Sequence, residues 1–478
     1  MHLGIDLGTG SIKVALFGEA GRCLRQGSRS YAILSPQKGW AETNPWDWWV
    51  AAGETVLQVV GHFGPSVKSI GLSGQMHGVV LTSREGNPLK PAILWADQRS
   101  SITLEAYRHL PESMGSALRN PVVPGMAGPI LLWLKSFESA VYHQARWALQ
   151  PKDWLCLQLT GHVHTDPSDL SGTLLSDPAH DHWNFELLKE LGLREDLFPP
   201  VLPSRALGGT LLPSAARHLG LPEGIPVAVG AADTAAALLG TGLPEGQLQL
   251  TIGTGAQLVL KHQHLPDTHP TLQLYRTAEQ RGWYSMAALQ NAGLALEWVR
   301  SVLRLDWPTF YTLAEQAPAG SKGLVFLPHL TGSRTPHPTQ ANRGGWMGLG
   351  LEHDLPCMAR SAFEGVALSI TQGLQVMPPA QTDMVRLAGG GTTHPWWQQL
   401  LADLLQKPLE VIDTTGASAR GAALLGEAAM KGQHPQFAQA QIAQTVLPNP
   451  EFPHQHLLER FGQAFQQVNR PHGPRPLD

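Results

Sequence analysis

Three short glycine-bearing segments and a few isolated polar residues carry most of the chemistry this sequence can offer. Asp6-Leu7-Gly8-Thr9-Gly10-Ser11 stands between two apolar runs, as the turn of a strand–turn–strand unit. Such a turn presents a row of backbone N–H groups and lets a phosphate approach closely, because its residues are small. Asp6, at the end of the leading strand, can hold Mg2+ directly or through water. Gly253-Thr254-Gly255 repeats the turn in the second half, and Gly389-Gly390-Gly391 follows another apolar run, where bare backbone fits against a nucleotide. Asp233 is a lone acid in a Gly/Ala setting, Val229 to Ala236, with no basic neighbour in sequence. A carboxylate so placed can accept the proton of a substrate hydroxyl. Gln75-Met76-His77-Gly78 follows a buried run and could line a sugar pocket. Trp95-Ala96-Asp97-Gln98-Arg99 joins an aromatic face to groups able to bond vicinal hydroxyls in pairs.

Each piece has a plainer reading. Asp-x-Gly-Thr-Gly is also a hairpin turn with a capping acid, and three glycines are also a flexible loop. Asp233 precedes a helix, where an acid serves as N-cap about as often. A lone His is more often structural than catalytic, and Asp97 with Arg99 is also a surface ion pair. The set raises the odds: two Gly-Thr turns, an acid beside the first and a late glycine run, in that order, match an actin-like nucleotide cleft. Neither a Walker G-x-x-x-x-G-K-[ST] nor a Rossmann G-x-G-x-x-G after the first strand is present.

The elements that must position these residues follow from periodicity. Leu3–Leu7, Lys13–Phe17 and Cys23–Arg29 read as an antiparallel meander, and Val50–Val60 as a helix entered through Asn44 (N-cap) and Pro45. Val67–Ser73 is a buried strand. The grammar restarts near residue 225: strand Pro226–Gly230, helix Thr234–Leu239, strands Leu248–Ile252 and Gln257–Lys261, strand Met384–Ala388, and helices Pro395–Leu405 and Gly421–Lys431. Leu457, Leu458, Phe461, Phe465 and Val468 share one helical face, so a C-terminal helix should dock on the body, with a frayed Pro-rich tail after Arg470. Two halves opening on the same turn suggest a duplicated α/β fold with a boundary near Gly240, giving domains 1–240 and 241–478.

Bulk composition narrows the class. The 478 residues suit two to four domains. Charged residues are only 15%, against about 25% in typical proteins, which argues for much buried surface. A net charge of −4 offers no footprint for nucleic acid or an anionic membrane. Three scattered cysteines, Cys23, Cys156 and Cys357, are expected to be reduced, and no apolar stretch suits a signal peptide or membrane span. The chain is expected to be soluble and cytoplasmic.

Taken together the motifs resemble the FGGY carbohydrate kinases, and within them the members that act on D-xylulose. The resemblance runs from about Leu3 to Lys431 and rests on GIDLGT (4–9), SGQMHG (73–78), PAILWADQR (91–99), PKDWLCLQLTG (151–161), the setting of Asp233, FLPHLTGSRTPH (326–337), GWMGL (345–349), ARSAFEG (359–365) and AGGG (388–391). It implies an α/β protein of two ribonuclease-H-like, actin-like domains around a central cleft, moving the γ-phosphoryl of Mg-ATP to the 5-hydroxyl of D-xylulose. It implies Asp233 as catalytic base, Met76 and His77 as substrate contacts, and Asp6 as the acid near Mg2+. Thr9, Gly253, Thr254 and Gly389 to Gly391 fall on nucleotide-contacting segments. Partners are then ATP and the sugar, with a homodimer compatible. The sequence departs from the family pattern at Ile130 (Lys), Thr234 (Asn) and Ser333 (Glu), and in the residues following Thr9 and Thr254. These changes bear on the sugar more than on the reaction. The alternatives are a kinase for another ketose or polyol and, from another class, an actin-fold sugar sensor or assembly ATPase.

Overall fold

The alternating apolar residues at the amino end form β1 (His2–Leu7) and β2 (Ser11–Phe17), an antiparallel pair continued by β3 (Cys23–Ser30). The computed structural model describes residues 1–18, 21–279, 281–338, 343–412, 416–435 and 441–469; the tail expected to fray lies outside them. Helix α1 (Pro45–Val60) starts where Asn44 accepts a hydrogen bond from the Trp46 amide, with Pro45 at its first position. Strand β4 (Ser69–Gly74) runs parallel to β1, with Asp6 opposite Ser73 and Leu7 opposite Gly74. After a helical insertion that includes α2 (Ala127–Phe137) and α3 (Pro151–Thr160), the sheet is completed by β5 (Leu207–Thr210), β6 (Pro226–Ala228) and the short β7 (Ala231–Ala232). The strand order is β3-β2-β1-β4-β6-β5, with β7 also paired to β4. The single strand read over Pro226–Gly230 is thus two, broken at Gly230, whose φ of +85° favours glycine.

Helix α4 (Asp233–Thr241) leads to a second seven-stranded sheet: β8 (Leu248–Ile252), β9 (Ala256–His262), β10 (Gln273–Arg276), β11 (Trp283–Leu289), β12 (Val385–Ala388), β13 (Leu409–Ile412) and β14 (Ile442–Val446), with α5 (Leu355–Gln375) and α6 (Pro395–Leu405) among its helices. Its order is β10-β11-β9-β8-β12-β13-β14. In both sheets an antiparallel hairpin closes on a Gly-Thr turn, and the hairpin's first strand pairs in parallel with a later strand: β1 with β4, β8 with β12. Topology therefore shows the repeat that sequence only hinted at. Each sheet has its own core, Ile5, Val14, Trp48, Leu72 and Trp154 in the first, Leu250, Phe326, Phe363, Leu387 and Trp397 in the second. Leu457, Phe461 and Phe465 of α8 (His454–Val468) join the second core, so the C-terminal helix docks as its apolar face requires.

One helix crosses between the halves. α7 (Ala417–Lys431) belongs by sequence to the second half but packs on β1, β4 and α4 of the first. The approach is backbone to backbone. A Cβ on Gly4 would stand 1.8 Å from the Ala419 carbonyl oxygen, one on Gly71 1.7 Å from that of Ala422, and one on Gly421 1.8 Å from that of Ala236. Only glycine fits at these positions.

Candidate active site

Parallel strands end together, and residues just past their carboxyl ends converge. β1 delivers Asp6 and the Gly8-Thr9 turn, β4 delivers Gln75-Met76-His77, and β7 delivers Asp233. The turn is shaped by its neighbours: Gly8 N–H bonds the Ser11 carbonyl, and the Gly8 carbonyl accepts from Tyr31 Oη and, at 3.3 Å, from Gln75 Nε2. Thr9 Oγ1 accepts a 2.8 Å bond from Trp95 Nε1, which ties the phosphate turn to the Trp95 segment.

The two acids are close enough to feel each other. Asp6 is buried and accepts a 2.8 Å bond from Ser73 Oγ. Burial raises its pKa above the ordinary carboxylate value. Asp233 is half-buried, and burial together with the negative charge of Asp6 pushes its pKa up to about 6. Its carboxylate accepts from its own neighbour, Thr234 N–H at 2.5 Å, not from an amide one turn along. Asp233 is the first residue of α4 and not its cap, so the capping interaction open to it in the sequence is not made. Among the described residues no lysine or arginine forms an ion pair with either acid.

His77 takes a left-handed conformation, φ +73°, which points the ring back over the loop. Its Nδ1 sits 2.7 Å from the Gly172 carbonyl and so carries the hydrogen. Burial holds its pKa down at about 4, with Arg334 adding to the effect. The neutral ring then presents Nε2 as an acceptor, and Tyr275 Oη stands 3.4 Å from it. Tyr275 lies on β10 of the second sheet, so the two halves meet at His77. Met76 is buried, with Tyr284 Oη 3.9 Å from its sulfur.

Asp97 and Arg99 do not line this pocket as paired sugar donors. Asp97 is fully buried, and both its oxygens are taken: Oδ1 by Arg99 N–H and Nε, Oδ2 by Arg99 Nη2 and Ala41 N–H. Arg99 also reaches Glu42 at 2.8 Å and lies 3.5 Å over the Trp40 ring. The pair is neither a sugar contact nor a surface bridge but an internal brace of the Trp95 loop.

Sequence reading missed a second brace. Lys152 is fully buried, with Nζ 2.5 Å from Asp153, 3.3 Å from Asp166 and 3.4 Å from both Asp169 and the Val229 carbonyl. Burial opposes the Lys152 cation, yet three carboxylates keep its pKa well above the lysine value. Ser168 Oγ donates to Asp166 and accepts from Ala232 N–H at 2.9 Å, so this cluster holds the residue before Asp233. The family-like PKDW string at 151 was the available signal and holds Asp153; Asp166 and Asp169 stand 14 and 17 residues beyond Lys152 and carry none.

Between the two sheets lies a cavity of about 650 Å³, a size suited to a nucleotide, lined among others by Asp6, Lys13, Gln249, Thr251, Gly389 and Gly390. Lys13 faces Asp6 across the β1–β2 hairpin and was not singled out by sequence. Gly253 and Thr254 form the exposed β8–β9 turn, and Gly389 to Gly391 follow β12, Gly389 with φ +102°. A phosphate turn on each sheet, a cavity between them and an acid beside the first turn make an arrangement for binding and transferring phosphoryl groups.

The sequence matches the FGGY family of carbohydrate kinases, its N-terminal domain over residues 1–240 and its C-terminal domain over 248–430. The chain belongs to the FGGY family of carbohydrate kinases. This FGGY kinase is 31% identical over 486 residues to the xylulose kinase of Escherichia coli K12, covering 98% of this chain and 99% of that one. Its fold matches the ligand-bound xylulose kinase of Lactobacillus acidophilus with TM-score 0.90 at 22% identity, covering 98% and 99%. It matches the gluconate kinase of the same organism with TM-score 0.89 at 23% identity, covering 98% of each chain. The protein is thus an ATP-dependent sugar kinase of actin-like fold. Among the described residues no helix is long and apolar enough to cross a membrane.

Proposed function

We propose that this FGGY kinase phosphorylates D-xylulose at O5 with Asp233 as the base. The observation that carries the reading is the convergence of the Met76-His77 loop and Asp233 past adjoining strand ends, beside the Gly8-Thr9 turn. The relative named xylulose kinase at 31% identity supports the choice of sugar. In this reading the cavity would take ATP, the Gly8-Thr9 and Gly253-Thr254 turns would supply backbone donors to its phosphates, and Gly389 to Gly391 would lie near the nucleoside. Met76, His77 and Trp95 line the sugar, and Asp97 with Arg99 holds their loop.

Two carboxylates that form no ion pair among the described residues, with Lys13 across the hairpin acting on them from a distance, fit a divalent ion that arrives with the nucleotide, and Asp6 would hold Mg2+. Held there, the ion would neutralise charge on the phosphates during transfer. The chain's own contribution is positional. His77 Nε2, unprotonated, accepts from a sugar hydroxyl. Asp233, ionised above pH 6, aims at the attacking oxygen and takes its proton late, as a loose transition state allows. Closure of the halves excludes water, which would otherwise divert the phosphoryl group.

The test is a coupled ADP-release assay with D-xylulose, D-ribulose, glycerol and gluconate, the product identified by mass spectrometry. D-xylulose should lead the others by at least about tenfold in kcat/KM, or ~1.4 kcal/mol. Equal or better use of any rival would overturn the substrate assignment.

A further inference from the structure

Arg334 is a cation near His77 and Tyr275 that has no part in the transfer step. It comes from the second half, on a segment pinned to β11: Thr335 N–H bonds the Ala288 carbonyl, and Ala288 N–H bonds Thr335 Oγ1. Its guanidinium lies 5.0 Å from the ring centre of Trp95, the indole that bonds Thr9. It is close enough to His77 and Tyr275 to act on their ionisation. Among the described residues no carboxylate or carbonyl takes a hydrogen bond from it, and burial lowers its pKa. Ser333, where the resemblance has an acid, is turned away, its Oγ bonded to the His337 carbonyl. A half-buried guanidinium with five donors and no protein acceptor among the described residues keeps its donors available to a ligand.

The chemistry of a pentulose supplies that acceptor. A 2-ketopentose closes to a five-membered ring only through O5. An acceptor phosphorylated at O5 is therefore bound open, with a free carbonyl at C2. Tyr275, whose hydroxyl stands 3.4 Å from His77 Nε2, lies within electrostatic reach of both Asp233 and Arg334. Of the two charged groups that act on Tyr275, Asp233 serves O5 in this reading and Arg334 is left for the carbonyl. Resting on the sugar-kinase reading, we infer that Arg334 is a specificity-determining residue that binds the C2 carbonyl of an open-chain 2-ketose and selects it over the matching polyol.

The experiment compares D-xylulose with xylitol and D-arabinitol, the pentitols obtained by reducing C2, in wild type, Arg334→Met and Arg334→Lys. kcat/KM is read for each, or the inhibition constant where turnover is too slow, with the KM for ATP and the Tm of each variant. Wild type should prefer the ketose at least about tenfold. Arg334→Met should lose roughly 10- to 100-fold on D-xylulose, the range for a hydrogen bond from a charged donor, and less than about threefold on the pentitols. Its KM for ATP and Tm should hold, and Arg334→Lys should recover part of the preference. An equal loss on ketose and pentitols, or a raised KM for ATP, would overturn the inference by marking Arg334 as a phosphate contact or a packing residue. No loss on D-xylulose would overturn it as well. Wild-type enzyme inactive on D-xylulose yet active on another sugar would instead sink the substrate assignment, and this inference with it, before any variant is measured.

Discussion

Replacing Asp233 by Asn separates the catalytic reading from a structural one because it predicts opposite changes in activity and stability. The folded protein holds this carboxyl at a pKa of about 6, against 3.8 ordinarily. A group whose folded pKa is raised favours folding while protonated and loses that contribution as pH rises from the unfolded value through the folded one. Above pH 6 the ionised Asp233 therefore weighs against the native state. Two pKa units correspond to roughly 3 kcal/mol, of which water at this half-buried site recovers a part. Asn keeps the shape and the acceptor for Thr234 N–H but carries no charge. Asp233→Asn should gain roughly 1–3 kcal/mol at pH 8, a Tm rise of several degrees, and nothing at pH 4, where Asp is itself neutral. The same change should lower kcat by roughly 10²–10⁴-fold, because the amide cannot take the proton. ATP affinity, set by the phosphate turns, should be unchanged. Thermal melts at pH 4 and 8 and steady-state kinetics at pH 8 read all of this. Near-normal kcat would refute the base assignment, and a Tm that drops at both pH values would refute the electrostatic argument.

The same pKa predicts that kcat/KM for the sugar falls about tenfold per pH unit below pH 6, while His77, neutral down to about pH 4, keeps the KM for sugar flat from pH 5.5 to 8. Phosphate turns on both sheets predict closure: sugar with a non-hydrolysable ATP analogue should reduce the radius of gyration in solution scattering more than the analogue alone, and an unchanged radius would favour a rigid site. Two glycines should separate stability from function. Gly71→Ala places a Cβ 1.7 Å from a backbone oxygen and should cost several kcal/mol, seen as lost soluble yield. Gly253→Ala has open space around its Cβ and should keep its Tm while raising the KM for ATP.

Local signals carried far in this chain, and distant pairings set their limit. The Gly-Thr hairpins, the Asn44 cap and the face of α8 were legible because each is written in a few consecutive residues. Asp6, His77 and Asp233 could be nominated one by one, since strand ends in a parallel sheet are predictable gathering points. What partners a residue was not legible. Asp97 and Arg99 have the same residue types whether they grip a sugar or each other, and only the burial of the Trp40 side decides. Tyr275 and Arg334 reach the pocket from 198 and 257 residues beyond His77, in segments whose own pattern is that of an edge strand and a loop. Lys152 needed two acids, Asp166 and Asp169, brought from another turn of chain beside its neighbour Asp153.

The placement of α7 bears on how the chain is made. Strands β1 and β4 are complete once residue 74 is synthesised, yet the helix that covers one face of them ends at Lys431. At ribosomal rates of about 5–20 residues per second, the first sheet waits roughly 20–70 s for its own cover. During that interval the backbone groove over Gly4 and Gly71 lacks the helix that packs into it in the finished fold. The amino-terminal half therefore carries an uncovered sheet face while it is being synthesised, and a chain that stops at the natural-looking break near Gly240 ends without the helix that finishes its sheet.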